Sequence, residues 1–200
     1  MTSPQRLQKL LAGTALVIGA ARPTRSRAAP QGDATAAPAT MARHPATGSC
    51  PSTPTAGHLT ISSRCVDAPL VAVGITHNAV DIPANVHVVG WYQNTPSPNA
   101  SAGSTVIVGH VNYYTQGAGA FYQLWFVKPG AIVKINYQGH LHSWKVVSTQ
   151  YIDKGHLPWS LFASSGKRYL TLITCGGILQ HSAAGWHYND NVVVRAVPVS

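Results

Sequence analysis

The chain contains no glutamate, and its five acidic residues are all aspartate. Chemistry that needs paired carboxylates is therefore a poor fit, as is a carboxylate-rich cage for a hard cation. Charge of either sign is scarce, at 10% of 200 residues against 45% hydrophobic residues, which suits one compact domain with a sizeable core. No stretch carries helical periodicity over a useful length. Cysteine is limited to Cys50, Cys65 and Cys175, and no C-x-x-C or H-x-x-x-H spacing accompanies them or the loop histidines His181 and His187. Neither a metal nor any cofactor is expected.

What charge there is runs strongly basic, with a formal net charge of +9. Its distribution argues against nucleic acid. Arg6, Lys9, Arg22, Arg25, Arg27 and Arg43 face only Asp33 in the first fifty residues, and eight scattered bases face four aspartates in the rest. No basic helix or stripe emerges, so the charge suits weak attraction to anionic lipid or wall polymer better than a nucleic-acid interface.

Residues 1–21 have the layout of an export signal or signal anchor: Arg6 and Lys9, then the apolar run Leu10 to Ala21. Twelve residues are too few to span a bilayer comfortably. Either fate, cleavage or retention at the membrane, puts the domain outside the cytoplasm. Residues 22–57 are rich in Ala, Pro and Thr without hydrophobic period, and read as a disordered spacer. The domain proper is expected over 58–200. Outside the cell, Cys50 and Cys65 could form a disulfide tying the spacer to the first strand, leaving Cys175 unpaired.

The domain reads as short strands punctuated by turns. Leu59 to Ser63 and Leu70 to Val73 flank a turn at Asp67-Ala68-Pro69; Asn85 to Trp91 leads into a Pro, Ser and Asn-rich loop. Ser104 to Val108 is a buried strand ending in Gly109-His110. A glycine-rich loop, Thr115 to Gly119, and a short helical turn over Phe121 to Phe126 follow. Ala131 to Tyr137 hairpins through Gln138-Gly139 into Leu141 to Gln150, and Pro158 to Ala163 forms another helical turn. Arg168 to Cys175 is a strand expected to stop at Gly176-Gly177, and Asn191 to Val197 closes the set. The sum is an all-β, closed, antiparallel-dominated barrel with short helical turns.

Two of these strands deliver reactive side chains at their ends. In Arg168 to Cys175 side chains alternate, so Tyr169, Thr171, Ile173 and Cys175 share one face and Leu170, Leu172 and Thr174 the other. Both faces are mostly apolar, as in a barrel wall packed beneath loops. A free Cys is most often a small buried hydrophobe; a nearby base would make it a nucleophile. His110 is the candidate base, since two strands of one barrel could place imidazole and thiol on the same rim; a histidine bonded to backbone would equally be structural.

Thr171-Leu172-Ile173-Thr174-Cys175 resembles the TLxTC signature of sortases, the cysteine transpeptidases of Gram-positive cell surfaces. Val89-Gly90-Trp91-Tyr92, Val108-Gly109-His110-Val111-Asn112, Ile173-Thr174-Cys175-Gly176-Gly177 and Tyr188-Asn189-Asp190-Asn191-Val192-Val193-Val194 resemble, in order, the blocks of class F sortases, from about residue 58 to the C-terminus. The resemblance implies an eight-stranded sortase-type barrel, with Cys175 as nucleophile and His110 as acid/base. It also implies cleavage of an LPxTG-like sorting motif between Thr and Gly, and transfer of the acyl group to an amine of peptidoglycan precursor or another protein. A sortase also uses an arginine. The loop from Gly176 to Asn191 has none, and Asn189 stands where relatives can carry a basic residue. Arg195 is the remaining candidate, sharing a face with Asn191 and Val193; Asn191 is a weaker neutral donor. Thr174, Asn191, Trp91 and Tyr113 are candidate substrate-binding residues, and Tyr92, Tyr114, Trp186 and Tyr188 flank the same blocks. A hydrolytic cysteine peptidase or amidase would use the same dyad with water as acceptor, and a non-catalytic wall-binding barrel would need neither residue.

Overall fold

The computed structural model describes residues 49–77, 79–113, 115–182 and 185–199. The expected export signal and most of the spacer, with Tyr114, lie outside the described residues. Eight strands close a barrel: β1 (His58–Ile61), β2 (Val66–Val73), β5 (Val89–Tyr92), β6 (Ser104–Val108), β9 (Ile132–Tyr137), β10 (His140–Asp153), β11 (Tyr169–Ser182) and β12 (Gly185–Pro198). Around the wall the order is β1-β2-β5-β6-β11-β12-β10-β9. Two short ribbons lie outside it, β3 (Ile75–Thr76) with β4 (Ala79–Val80) and β7 (Asn112–Tyr113) with β8 (Gly117–Ala118). Among the described residues there are also three short 3-10 turns, 62–64, 124–126 and 159–162.

Alternation along each strand builds two cores. Leu170 and Leu172 of β11, Ile107 of β6, Val192 and Val194 of β12 and Val89 of β5 point into the barrel with Leu59, Ile135 and Trp144. Ile173, Val106, Val108, Val193 and Tyr92 point outward and are covered by Val80, Leu157, Leu161 and Phe162 from the connecting segments. The strand that carries the thiol is thus buried on both faces, as its apolar pattern requires.

Most pairings are antiparallel, and two are parallel: β2 with β5 and β6 with β11. Glycine explains two boundaries. Gln138 and Gly139 both take positive φ, 52° and 81°, the geometry of a tight two-residue hairpin between β9 and β10. The pair Gly176-Gly177, expected to stop β11, instead forms a bulge within it. The register with β12 shifts between Gly176 and Leu179, Gly177 sits at φ 80°, and pairing continues to Ser182 opposite Gly185. Glycine here removes the Cβ penalty of a bulge and leaves the ladder intact beyond it. The turn expected at Asp67-Ala68-Pro69 is likewise corrected: these residues lie inside β2, opposite His58 to Thr60, and the chain turns at Ser62–Cys65 instead. Pro69 is tolerated because a proline needs only a place where its missing N–H is not called on by the ladder.

The long loop after β5 is held by a cation. Arg168 donates from Nη1 to the carbonyl of Gly103 (3.1 Å), and from Nη2 to the carbonyl of Ser97 (2.8 Å) and to Thr105 Oγ1 (2.7 Å). Its guanidinium stacks over Trp144 at 4.8 Å. Burial lowers its pKa to about 10, so it stays protonated at neutral pH.

Cys50 and Cys65 are joined in a disulfide with Cα atoms 4.7 Å apart and stand 15 positions apart in sequence. It fastens the strap before β1 to the β1–β2 turn, where Ser62 Oγ also donates to the carbonyl of Pro51 at 2.7 Å. Closing a loop of that length restricts the unfolded chain by about 3 kcal/mol. Cys50→Ser/Cys65→Ser should lose about that much stability in urea denaturation. Dithiothreitol should lower the wild type by the same amount and leave the double variant unmoved.

Candidate active site

The parallel pairing of β6 with β11 sets the site. Leu172 stands beside Ile107 and Ile173 beside Val108. The alignment runs past the end of β6: Gly109 N–H donates to the carbonyl of Ile173 (3.2 Å), and Thr174 Oγ1 donates to the carbonyl of Gly109 (2.8 Å). One residue further along each strand come His110 and Cys175. They stand level where β6 has ended and β11 runs on, on neighbouring chains about 4.8 Å apart in a sheet. By alternation both continue the outward face of Val108 and Ile173.

Cys175 is a free thiol, partly buried. Opposite it on β12 stands Asn191, 6% exposed. The Nδ2 of Asn191 is buried without a hydrogen-bond partner. A buried amide donor left unmade costs on the order of 1–3 kcal/mol, so this one is a donor in want of an acceptor beside the sulfur.

The imidazole is held from the other side. His110 Nε2 lies 3.1 Å from the carbonyl oxygen of Pro83. A carbonyl only accepts, so Nε2 carries the hydrogen and Nδ1 keeps the lone pair of the neutral ring. The 83–86 segment is itself fixed, since Gln116 donates through Nε2 to Ala84 O (2.9 Å) and accepts at Oε1 from Val86 N (3.2 Å). Tyr113 packs edge-on against the imidazole, with ring centroids 5.9 Å apart. Sequence reasoning missed Pro83 and Gln116, because a main-chain acceptor and a loop amide leave no motif.

Burial pushes the His110 pKa below the ordinary imidazole value of 6.5, against the opposing pull of the Pro83 carbonyl. The unfolded chain therefore takes up this proton at a higher pH than the folded one. Stability from this group is complete above the unfolded value and is lost as pH falls through the folded value. Denaturation of the wild type and His110→Gln from neutral to mildly acidic pH should show the wild type losing more stability, the difference opening only on the acid side.

The other expected site residues divide. Thr174 is buried, and its hydroxyl ties β11 to the residue before His110. Trp91 lies on the interior face, packed against the barrel core and edge-on to Tyr137 at 5.7 Å. The structure does not bring it to the thiol. Nor does it bring Arg195 there: Arg195 stands opposite Thr171, four residues along from the Cys175 level, with its guanidinium 3.8 Å over the Tyr169 ring. Asn189 uses its Oδ1 to accept from Ile178 N (2.6 Å), closing the bulge. Tyr188 OH accepts from Asn112 Nδ2 at 3.1 Å. No cluster of three or more metal-ligating side chains occurs among the described residues.

A closed barrel with a free thiol on its wall, level with a partly buried imidazole, has the layout of a cysteine enzyme. The chain belongs to the sortase family: the Sortase domain family model matches residues 59–199. Among solved structures it is similar to the pilus island 1 sortase C2 of Group B Streptococcus, with 25% identity and a TM-score of 0.57 over 72% of this chain and 73% of that one. It is also similar to a lid mutant of Corynebacterium diphtheriae sortase A, with 23% identity and a TM-score of 0.55 over 72% and 69% of the two chains. Actinomyces oris sortase C-1 gives 21% and 0.56 over 72% and 71%. Comparison with curated proteins finds no match. Sortases are cysteine transpeptidases that act on sorting signals and amine acceptors, in general at the cell surface, and this chain is an enzyme of that family.

Proposed function

We propose that the protein is an extracytoplasmic transpeptidase of the class F type, cleaving an LPxTG-like sorting motif through a thioester on Cys175. The observation that supports this most is the in-register parallel pairing of β6 and β11, which leaves a thiol and an imidazole level on one face. In the proposed cycle His110 Nδ1 takes the Cys175 proton and the sulfur attacks the Thr carbonyl of the motif. The C–N bond to Gly breaks as the imidazolium returns the proton to the departing amine. An incoming amine then attacks the thioester, its proton passes to His110, and the thiolate leaves.

The tetrahedral oxyanion of each step needs a donor. Asn191 Nδ2, buried and unpartnered, is the group we assign, in place of the Arg195 suggested by the sequence. Tyr113 walls the imidazole side of the peptide groove, and Thr174 keeps the two strand ends in register. The peptide sorting signal and an amine of the wall or of another protein are the partners, and residues 1–21 and 22–57 serve as export signal or anchor and as spacer.

The test is product analysis with an LPxTG-type peptide and excess amine. An adduct joined through the Thr carbonyl is expected. Free acid at every amine concentration would instead make the protein a hydrolase, and neither product would leave a wall-binding barrel.

A further inference from the structure

The segment after His110 presents aromatic rings to solvent in a pattern its own geometry imposes. Phe121, Leu124 and Val127 are fully buried in the barrel core, every third residue, the period of the 3-10 turn that 124–126 forms. The residues between are turned out: Tyr122 is 39% exposed, Trp125 40% and Phe126 47%. Trp125 and Phe126 pack edge-on with centroids 4.7 Å apart. Arg64, on the β1–β2 turn, lies over the Phe126 ring at 5.7 Å. Lys128 is exposed two residues further on. The nearest carboxylate in sequence, Asp67, is occupied by His58 Nδ1 at 2.9 Å.

Rings with cations and no spare anion are the composition of a membrane-interface surface, where aromatic bodies sit at headgroup level and bases meet anionic lipid. The course of the chain favours the same occupant. The Cys50–Cys65 disulfide holds the strap next to Arg64, so the forty-eight residues that precede the described part, with their apolar run Leu10 to Ala21, reach the domain beside this patch. We infer that Tyr122, Trp125 and Phe126, with Arg64 and Lys128, form a seat on an anionic lipid bilayer, a second attachment beside the N-terminal segment. One amphipathic contact of this size is a weak anchor by itself and becomes effective as the second of two. Phe121 N–H donates to the carbonyl of His110 at 3.0 Å, so the seat holds the catalytic pole close to the bilayer.

The apolar run can bind vesicles unaided, so the readout must report on Trp125. The full chain is mixed with vesicles of equal parts phosphatidylcholine and phosphatidylglycerol whose acyl chains carry bromine, and tryptophan emission is followed. Bromine should quench the wild type, and most of the quenching should vanish in Trp125→Phe, which keeps a ring against Phe126, and persist in Trp186→Phe. Arg64→Gln should weaken partition onto these vesicles about fivefold and leave partition onto pure phosphatidylcholine unchanged. Equal quenching in Trp125→Phe, loss of quenching in Trp186→Phe, or no quenching in wild type that sediments with the vesicles would each overturn the proposal. So would concentration-dependent self-association abolished by Phe126→Ser without any quenching, since the patch would then be a contact between copies. None of these readouts needs turnover, so the seat and the transpeptidase reading fail separately.

Discussion

Cys175→Ala should remain folded and never acquire the mass of a peptide fragment, while its transpeptidation rate falls by at least about a thousandfold. Wild-type protein mixed with an LPxTG-type peptide and no amine should gain the acyl portion, which intact-mass analysis reads directly. The stability of the variant should stay within about 0.5 kcal/mol of the parent, because Cys175 is only partly buried and lies outside both apolar clusters. That separation makes the result diagnostic. A thiol that served only as packing would, when shortened, move the melting curve and leave product formation alone. Retained turnover in Cys175→Ala would remove the nucleophile from the scheme. Loss of turnover with loss of fold would be uninformative, and the exposure of this residue makes that outcome the unexpected one.

The barrel was legible in the chain because its strands obey simple rules. Ser104 to Val108 and Tyr169 to Thr174 are apolar on both faces, and the structure buries both faces, one in each core. Ala131 to Tyr137 and its partner announce themselves through Gln138-Gly139, whose backbone takes the left-handed conformation such a turn needs. Failures came where one residue type permits two structures. Glycine relaxes the backbone for a turn and equally for a bulge, and only the partner strand decides. Asn189 supplies the acceptor for Ile178 N and β12 runs on alongside, so Gly176-Gly177 bends the ladder without ending it. Asp67-Ala68-Pro69 has turn composition, yet β1 lies opposite and captures it.

The site divides in the same way. Cys175 and His110 stand out in the sequence as candidates, since each follows an apolar run, but their levels on the wall depend on a parallel register that no local pattern encodes. Arg195 illustrates the converse. Its parity correctly puts it on the face of Asn191, while its height, opposite Thr171, follows from pairing between strands. Pairing also explains why Asn191 matters. Directly across from the thiol, it has a short side chain whose amide finds no acceptor, which is why the proposed cycle gives it the charge that exists only during reaction.

Gly119→Ala should cut kcat/KM by about a hundredfold through misplacement of the imidazole, without touching a reacting group. A Cβ at Gly119 would overlap the carbonyl oxygen of His110 and crowd its Cβ. The contact is with backbone, which cannot swing aside as a side-chain tip would. Two hydrogen bonds tie the same spot, from Gly119 N to Val111 O (2.9 Å) and from Phe121 N to His110 O (3.0 Å), so the strain passes into the main chain that carries the imidazole. The core strands are elsewhere and should keep their stability. Three readouts check the mechanism together. Initial rates should drop mainly in kcat, because the thiol and the peptide groove are unaltered; alkylation of Cys175 by iodoacetamide should persist, showing the sulfur still accessible. His110→Ala in the same background should add little further loss, since a displaced imidazole has already forfeited its contribution. Full additivity of the two substitutions would mean that Gly119 acts on something other than His110.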